Sequence, residues 1–173
     1  MLFLALSSVV LGCGWLPINW YEAGKGLPFR ISLPDYLDTT STLAPEAPFQ
    51  YQNRQKDLYL AIQYFSLDSL YMNRPNYATG DYFNMQLNNL RKPMQEVESG
   101  KTDTIRVERF SGFESTLIGT FQKDELYMRL RVLETETYLY QILIWTSLEN
   151  RGELQPVMDR ILESFKEFPQ EGS

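Results

Sequence analysis

Residues 137–168 read TYLYQILIWTSLENRGELQPVMDRILESFKEF, and the fold follows from this stretch. Tyr138, Tyr140, Ile142 and Ile144 alternate with Leu139, Leu143 and Trp145, with Gln141 the one polar interruption. A strand apolar on both sides needs cover on both faces of its sheet, which places it in the interior. Glu149-Asn150-Arg151-Gly152 is a turn, and Leu154, Met158, Ile161, Leu162, Phe165 and Phe168 then fall on one side of an amphipathic helix. Gln141 is expected to hydrogen-bond a polar group beneath a covering helix, because buried amides require partners.

Upstream, Phe29, Ile31 and Leu33 predict a half-buried strand ended by Pro34, and Thr39–Pro48 a loop. Phe49 and Tyr51 predict a short strand, Asn53–Asp57 a turn, and Leu58–Phe65 a second strand apolar on both faces. Ser66–Gly80 has no clean period and reads as a long connection. Asp81 is the expected N-cap of a helix carrying Phe83, Leu87, Leu90, Met94 and Val97, ended or bent near Leu90 or Arg91 by Pro93. After a turn at Ser99-Gly100-Lys101 come four strands in close succession. Ile105 and Val107 mark the first, and Phe110–Phe113 a tight reversal. Phe113, Leu117 and Phe121 lie on one face of the second. The third has Leu126, Met128, Leu130 and Val132 on one side and Tyr127, Arg129, Arg131 and Leu133 on the other. Short links force such neighbours to be antiparallel. The expected fold class is α+β: a three-layer α/β/α sandwich around one mainly antiparallel sheet of about seven strands.

The 173 residues suit one domain, and 43% hydrophobic with 14% aromatic content suits a packed core. Sixteen basic against 22 acidic residues give a net charge of −6, which disfavours a nucleic-acid partner. With no His, no Ser-His-Asp triad or His-containing metal site can be built, and one Cys forms neither an internal disulfide nor a thiolate cluster. No cofactor motif is present: Ser99-Gly100-Lys101 lacks the upstream glycine of a phosphate loop. Glu134 and Glu136 read as a solvated turn. Arg129 and Arg131 are expected to pair with acidic side chains of adjacent strands. No catalytic site is assigned, and the expectation is a protein that is not an enzyme.

The chain begins MLFLALSSVVLGCGW, an apolar run too short to span a bilayer but of signal-peptide length. Val10-Leu11-Gly12-Cys13 resembles the lipobox of bacterial lipoproteins, although only the Met1 amine, and no Lys or Arg, precedes the run. The resemblance implies a signal peptide over residues 1–12, lipidation of Cys13, and a lipid anchor and tether over 13–27; the alternative is a buried N-terminal strand or helix with Cys13 in the core. A domain over 28–168 and a disordered tail over 169–173 complete the expected organisation. Trp15 and Trp20 belong either at the headgroup level or against an edge of the domain. Gly14 after the Cys lacks the enterobacterial inner-membrane retention signal, so the outer membrane, facing the periplasm, is the expected address.

Phe29–Tyr36, Gln50–Asn53 with Leu58-Tyr59, Tyr140-Gln141-Ile142 with Trp145-Thr146, and Ile161 with Ser164-Phe165-Lys166 resemble bacterial PsbP-like proteins. That resemblance covers roughly Leu27–Phe168. It implies the fold shared by the PsbP photosystem subunit and the Ran-binding Mog protein, and action by binding proteins. It supplies no catalytic residues, and Pro93 and the aromatic connection lie outside it. Within that connection Tyr71, Met72, Arg74 and Tyr77 are the candidate partner-binding residues, since aromatics, Met and Arg are enriched at interfaces. The alternative is that they pack the connection onto the sheet. The expected partner is another envelope protein; the second reading is a carrier or sensor of a small apolar ligand, held between sheet and helices.

Overall fold

The computed structural model describes residues 18–73, 76–107 and 109–168. The expected signal peptide, Cys13, Trp15, Arg74 and the expected 169–173 tail lie outside the described residues. Eleven strands and three helices are present among the described residues, in the order β1 (Trp20–Ala23), β2 (Phe29–Pro34), β3 (Asp38–Thr39), β4 (Phe49–Asn53), β5 (Leu58–Ser66), α1 (Leu67–Asn73), α2 (Thr79–Arg91), β6 (Gln95–Ser99), β7 (Asp103–Val107), β8 (Phe110–Phe121), β9 (Asp124–Glu134), β10 (Tyr138–Ser147), α3 (Arg151–Glu163) and β11 (Lys166–Glu167).

The strand expected at the centre is there. The main sheet runs β3-β4-β5-β10-β9-β8-β6, with β7 also on β8, and its described pairs are antiparallel. The other doubly apolar strand, β5, lies beside β10, with Ile142 opposite Ile62. Alternation along β10 feeds two cores. Tyr140, Ile142 and Ile144 join Leu154, Met158 and Ile161 of α3, while Leu139 joins Phe83 and Leu87 of α2. The two longer helices therefore cover opposite faces of the sheet. Gln141 sits on the α2 face, and the Tyr82 hydroxyl of α2 donates to its Oε1 at 2.7 Å. The expected partner of the interior amide is thus a helix phenol.

Several expectations are corrected. The Phe29–Pro34 strand is not in the main sheet; it forms a separate three-stranded sheet with β1 and β11. Part of the stretch read as a tether is consequently structured. β1 pairs β2, and Trp20 packs against the α3-side core beneath the Arg160 guanidinium, 4.0 Å from its ring centroid. Trp20 thus covers an edge of the domain. The last helix stops at Glu163, so Phe165 is buried just beyond it and Phe168 is exposed below the Arg30 guanidinium. The chain leaves the helix because the Ser164 hydroxyl accepts the Ser32 amide at 2.8 Å and directs Lys166 and Glu167 onto β2.

The α2 helix begins at Thr79, after Ala78, which puts Asp81 in its first turn, where a negative charge suits the helix dipole. Its end at Arg91 agrees with the reading of Pro93. Met94 and Val97 follow the helix, yet still pack on the α2-side core. The reversal expected at Phe110–Phe113 is also displaced. Those residues are strand, and the chain turns before them, at Arg109.

One polar hub ties the two ends of β10's neighbourhood together. Asp57, at φ 54° in the β4–β5 turn, accepts the Ser147 amide at 2.8 Å and the Asn150 side-chain amide at 3.1 Å. Burial alone would raise its pKa, but hydrogen bonds from Ser147, Asn150 and Tyr59 outweigh it and lower the value. A carboxyl lowered on folding contributes stability that is present above its unfolded value, near 4, and is lost as pH falls through the folded value. Asp57→Asn keeps a residue tolerant of positive φ and one acceptor oxygen, and removes the charge. It is expected to lose about 1 kcal/mol at pH 7 in urea denaturation, with the difference from the parent closing below about pH 4.

Candidate functional site

The connection read as irregular contains α1, seven residues without a detectable period because they make only two turns. Leu67 anchors this helix in the α2-side core, and the Leu67 amide bonds the Thr137 carbonyl at 2.9 Å. Tyr71 and Met72 are left outside, 43% and 79% exposed. Tyr77 behaves differently. It is half-buried, and its ring meets Tyr71 edge-on at 6.1 Å between centroids and lies 6.1 Å from Tyr82. Tyr82 in turn meets Phe65 edge-on and donates to Gln141.

The candidate residues thus divide between the two readings. Tyr77 packs the connection onto the sheet, whereas Tyr71 and Met72 present an apolar surface to solvent. Burial raises the Tyr77 pKa, and the nearby Glu134 carboxylate raises it further. The phenol therefore stays neutral. Its hydroxyl lies beside Thr79, whose own hydroxyl donates to Glu134. Glu134 is accordingly not a solvated turn residue: it is half-buried and holds the start of α2, while Glu136 is exposed as expected.

The paired arginines follow the sequence expectation. Glu114 of β8 accepts Arg129 and Arg131 of β9, each at 2.5 Å, and Arg129 also pairs with Asp159 of α3. Arg131 continues to the Leu162 carbonyl at 2.8 Å, satisfying an acceptor in the last turn of α3. This cluster ties helix to sheet and consumes its own charges. The space between the sheet and the two longer helices is filled by the two apolar cores.

Neither a protein-family model nor a curated relative matches the sequence. Solved structures do match in shape. Cyanobacterial PsbP (CyanoP) from Synechocystis sp. PCC 6803 superposes with a TM-score of 0.58 at 10% identity, over 93% of this chain and 98% of that one. A point mutant of the protein Mog1 gives 0.60 at 10% identity, over 88% and 98%. LpqN of Mycobacterium tuberculosis, involved in cell envelope biogenesis, gives 0.57 at 10% identity, over 88% and 92%. The chain therefore has the PsbP/Mog-like fold. At this identity the likeness is one of architecture, and function has to be argued from the surface.

Proposed function

We propose that this chain is a lipid-anchored, non-enzymatic binding or assembly module of the bacterial cell envelope, using the exposed face of α1 to hold another envelope protein. The observation that carries the reading is exposed Tyr71, seated edge-on against Tyr77 and through it on Tyr82 and Gln141, with exposed Met72 beside it in sequence. A Tyr ring already held by a neighbouring ring loses little freedom on binding, and aromatic and Met side chains are enriched at interfaces. The lipobox-like sequence ending in Cys13, and the envelope role given for the similarly folded LpqN, support the address.

A photo-crosslinker at exposed Ser69 in intact cells is expected to give one saturable adduct with an envelope protein. Tyr71→Ala combined with Met72→Ser is expected to weaken that adduct about tenfold or more, the size of a lost interface anchor. A chain that stays uncrosslinked and monomeric at native abundance overturns the reading. The anchor is tested separately: Cys13→Ala is expected to move the protein from the membrane to the soluble fraction, and unchanged partitioning overturns lipidation.

A further inference from the structure

Where the β7–β8 and β9–β10 turns lie side by side, the surface is cut by a cleft of about 560 Å³. Arg106 and Arg109 form one wall, Glu134 and Glu136 the other, with Phe110 and Ser111 between them. The strand register explains the arrangement. Arg106 lies opposite Ser111, and Ser111 opposite Glu134, so the three side chains form one row on one face. Neighbouring strands are ~4.8 Å apart, which separates the Arg106 and Glu134 backbones by roughly 10 Å with only a serine in the gap.

The opposed charges do not close on one another. Among the described residues neither Arg106 nor Arg109 has an ion pair or hydrogen bond, while Glu134 takes one hydrogen bond from Thr79. A simple anion drawn to the guanidiniums meets two carboxylates, and a simple cation drawn to the carboxylates meets two guanidiniums. Only a ligand with both charges, set apart from each other, is favoured at both walls. An α-amino acid carries its charges on one carbon, too close to span the gap.

Independently of the α1 face, we propose that this cleft binds a phosphoethanolamine group. The phosphate sits between Arg106 and Arg109, whose planar donor sets match phosphate oxygens. The ammonium, with three donors, is received by Glu134 and Glu136. The two-carbon link passes over Ser111. Such a group occurs free or as a lipid headgroup, and the chemistry of the cleft is the same for both.

Amide chemical shifts of Ser111, Gly112 and Glu136 in the full chain report on the site. Titration with phosphoethanolamine is expected to give saturable shifts there, and ethyl phosphate or ethanolamine alone to bind at least about tenfold more weakly. Arg106→Gln with Arg109→Gln, two exposed side chains without a partner among the described residues, is expected to remove the shifts while leaving the thermal melt unchanged. Dihexanoyl phosphatidylethanolamine below its micelle concentration separates the sources. Tighter binding than the free compound supports a lipid headgroup, and binding of the free compound alone supports a soluble ligand. No saturable shift with either, equal binding of ethyl phosphate, or undiminished binding by the double variant overturns the proposal.

Discussion

Glu114→Ala is expected to destabilise the protein by about 3–5 kcal/mol, the range for breaking a buried charge pair by removing one partner. The size follows from what is left behind. The Glu114 side chain is 14% exposed and accepts two guanidiniums at once, from Arg129 at 11% and Arg131 at 15% exposure. Without it, among the described residues, Arg131 retains the Leu162 carbonyl and Arg129 retains Asp159, whose side chain is 41% exposed. Burial works against the Arg129 charge, but its hydrogen bonds and attraction to Glu114 and Asp159 outweigh that and raise the pKa, so it does not escape by deprotonating. Equilibrium urea denaturation checks the loss. Glu114→Gln, which keeps an acceptor but not the charge, is expected to fall between parent and Ala variant. A loss below about 1 kcal/mol for Glu114→Ala would assign the cluster to the surface-pair class instead.

That cluster was legible in the sequence because two arginines two apart on a strand must share a face, and a sheet supplies neighbours at fixed spacing. The same logic made β10, β5 and the Gln141 contact readable: alternation states which side each residue takes. What the alternation does not state is which sheet a strand joins. Phe29, Ile31 and Leu33 have the pattern of any half-buried strand, and their removal to a second sheet depends on Ser164 and β11, more than 130 positions away. The α1 surface was only half legible. Its residue types suggested an interface, but the separation of Tyr77 from Tyr71 and Met72 depends on Tyr82 and Phe65, on other elements. The charged cleft had no linear signal. Arg106, Ser111 and Glu134 meet only because three strands pair in one register.

Gly112 shows how a residue type can mislead and still be decisive. Between Ser111 and Phe113 it suggests a turn, and it is instead a mid-strand position opposite Leu133, where two backbones approach. A Cβ at this position would stand 2.0 Å from the Val132 carbonyl oxygen and 3.0 Å from the Leu133 Cα. Both are backbone atoms of β9, and β9 is fixed on its other edge by β10, so neither strand can yield without parting a ladder. Gly112→Ala is therefore expected to cost about 3 kcal/mol or more, at or above the usual range for overpacking. That corresponds to a fall in melting temperature of roughly 6–12 °C for a chain of this size. Gly152, in the first turn of α3, is the matched control. A Cβ there meets nothing within 4 Å, so Gly152→Ala is expected to raise stability by about 0.5–1 kcal/mol through reduced freedom of the unfolded chain. Thermal melts of the two variants followed by circular dichroism make the comparison. Equal melting temperatures would mean that β8 and β9 separate more easily at Gly112 than their continuous register implies.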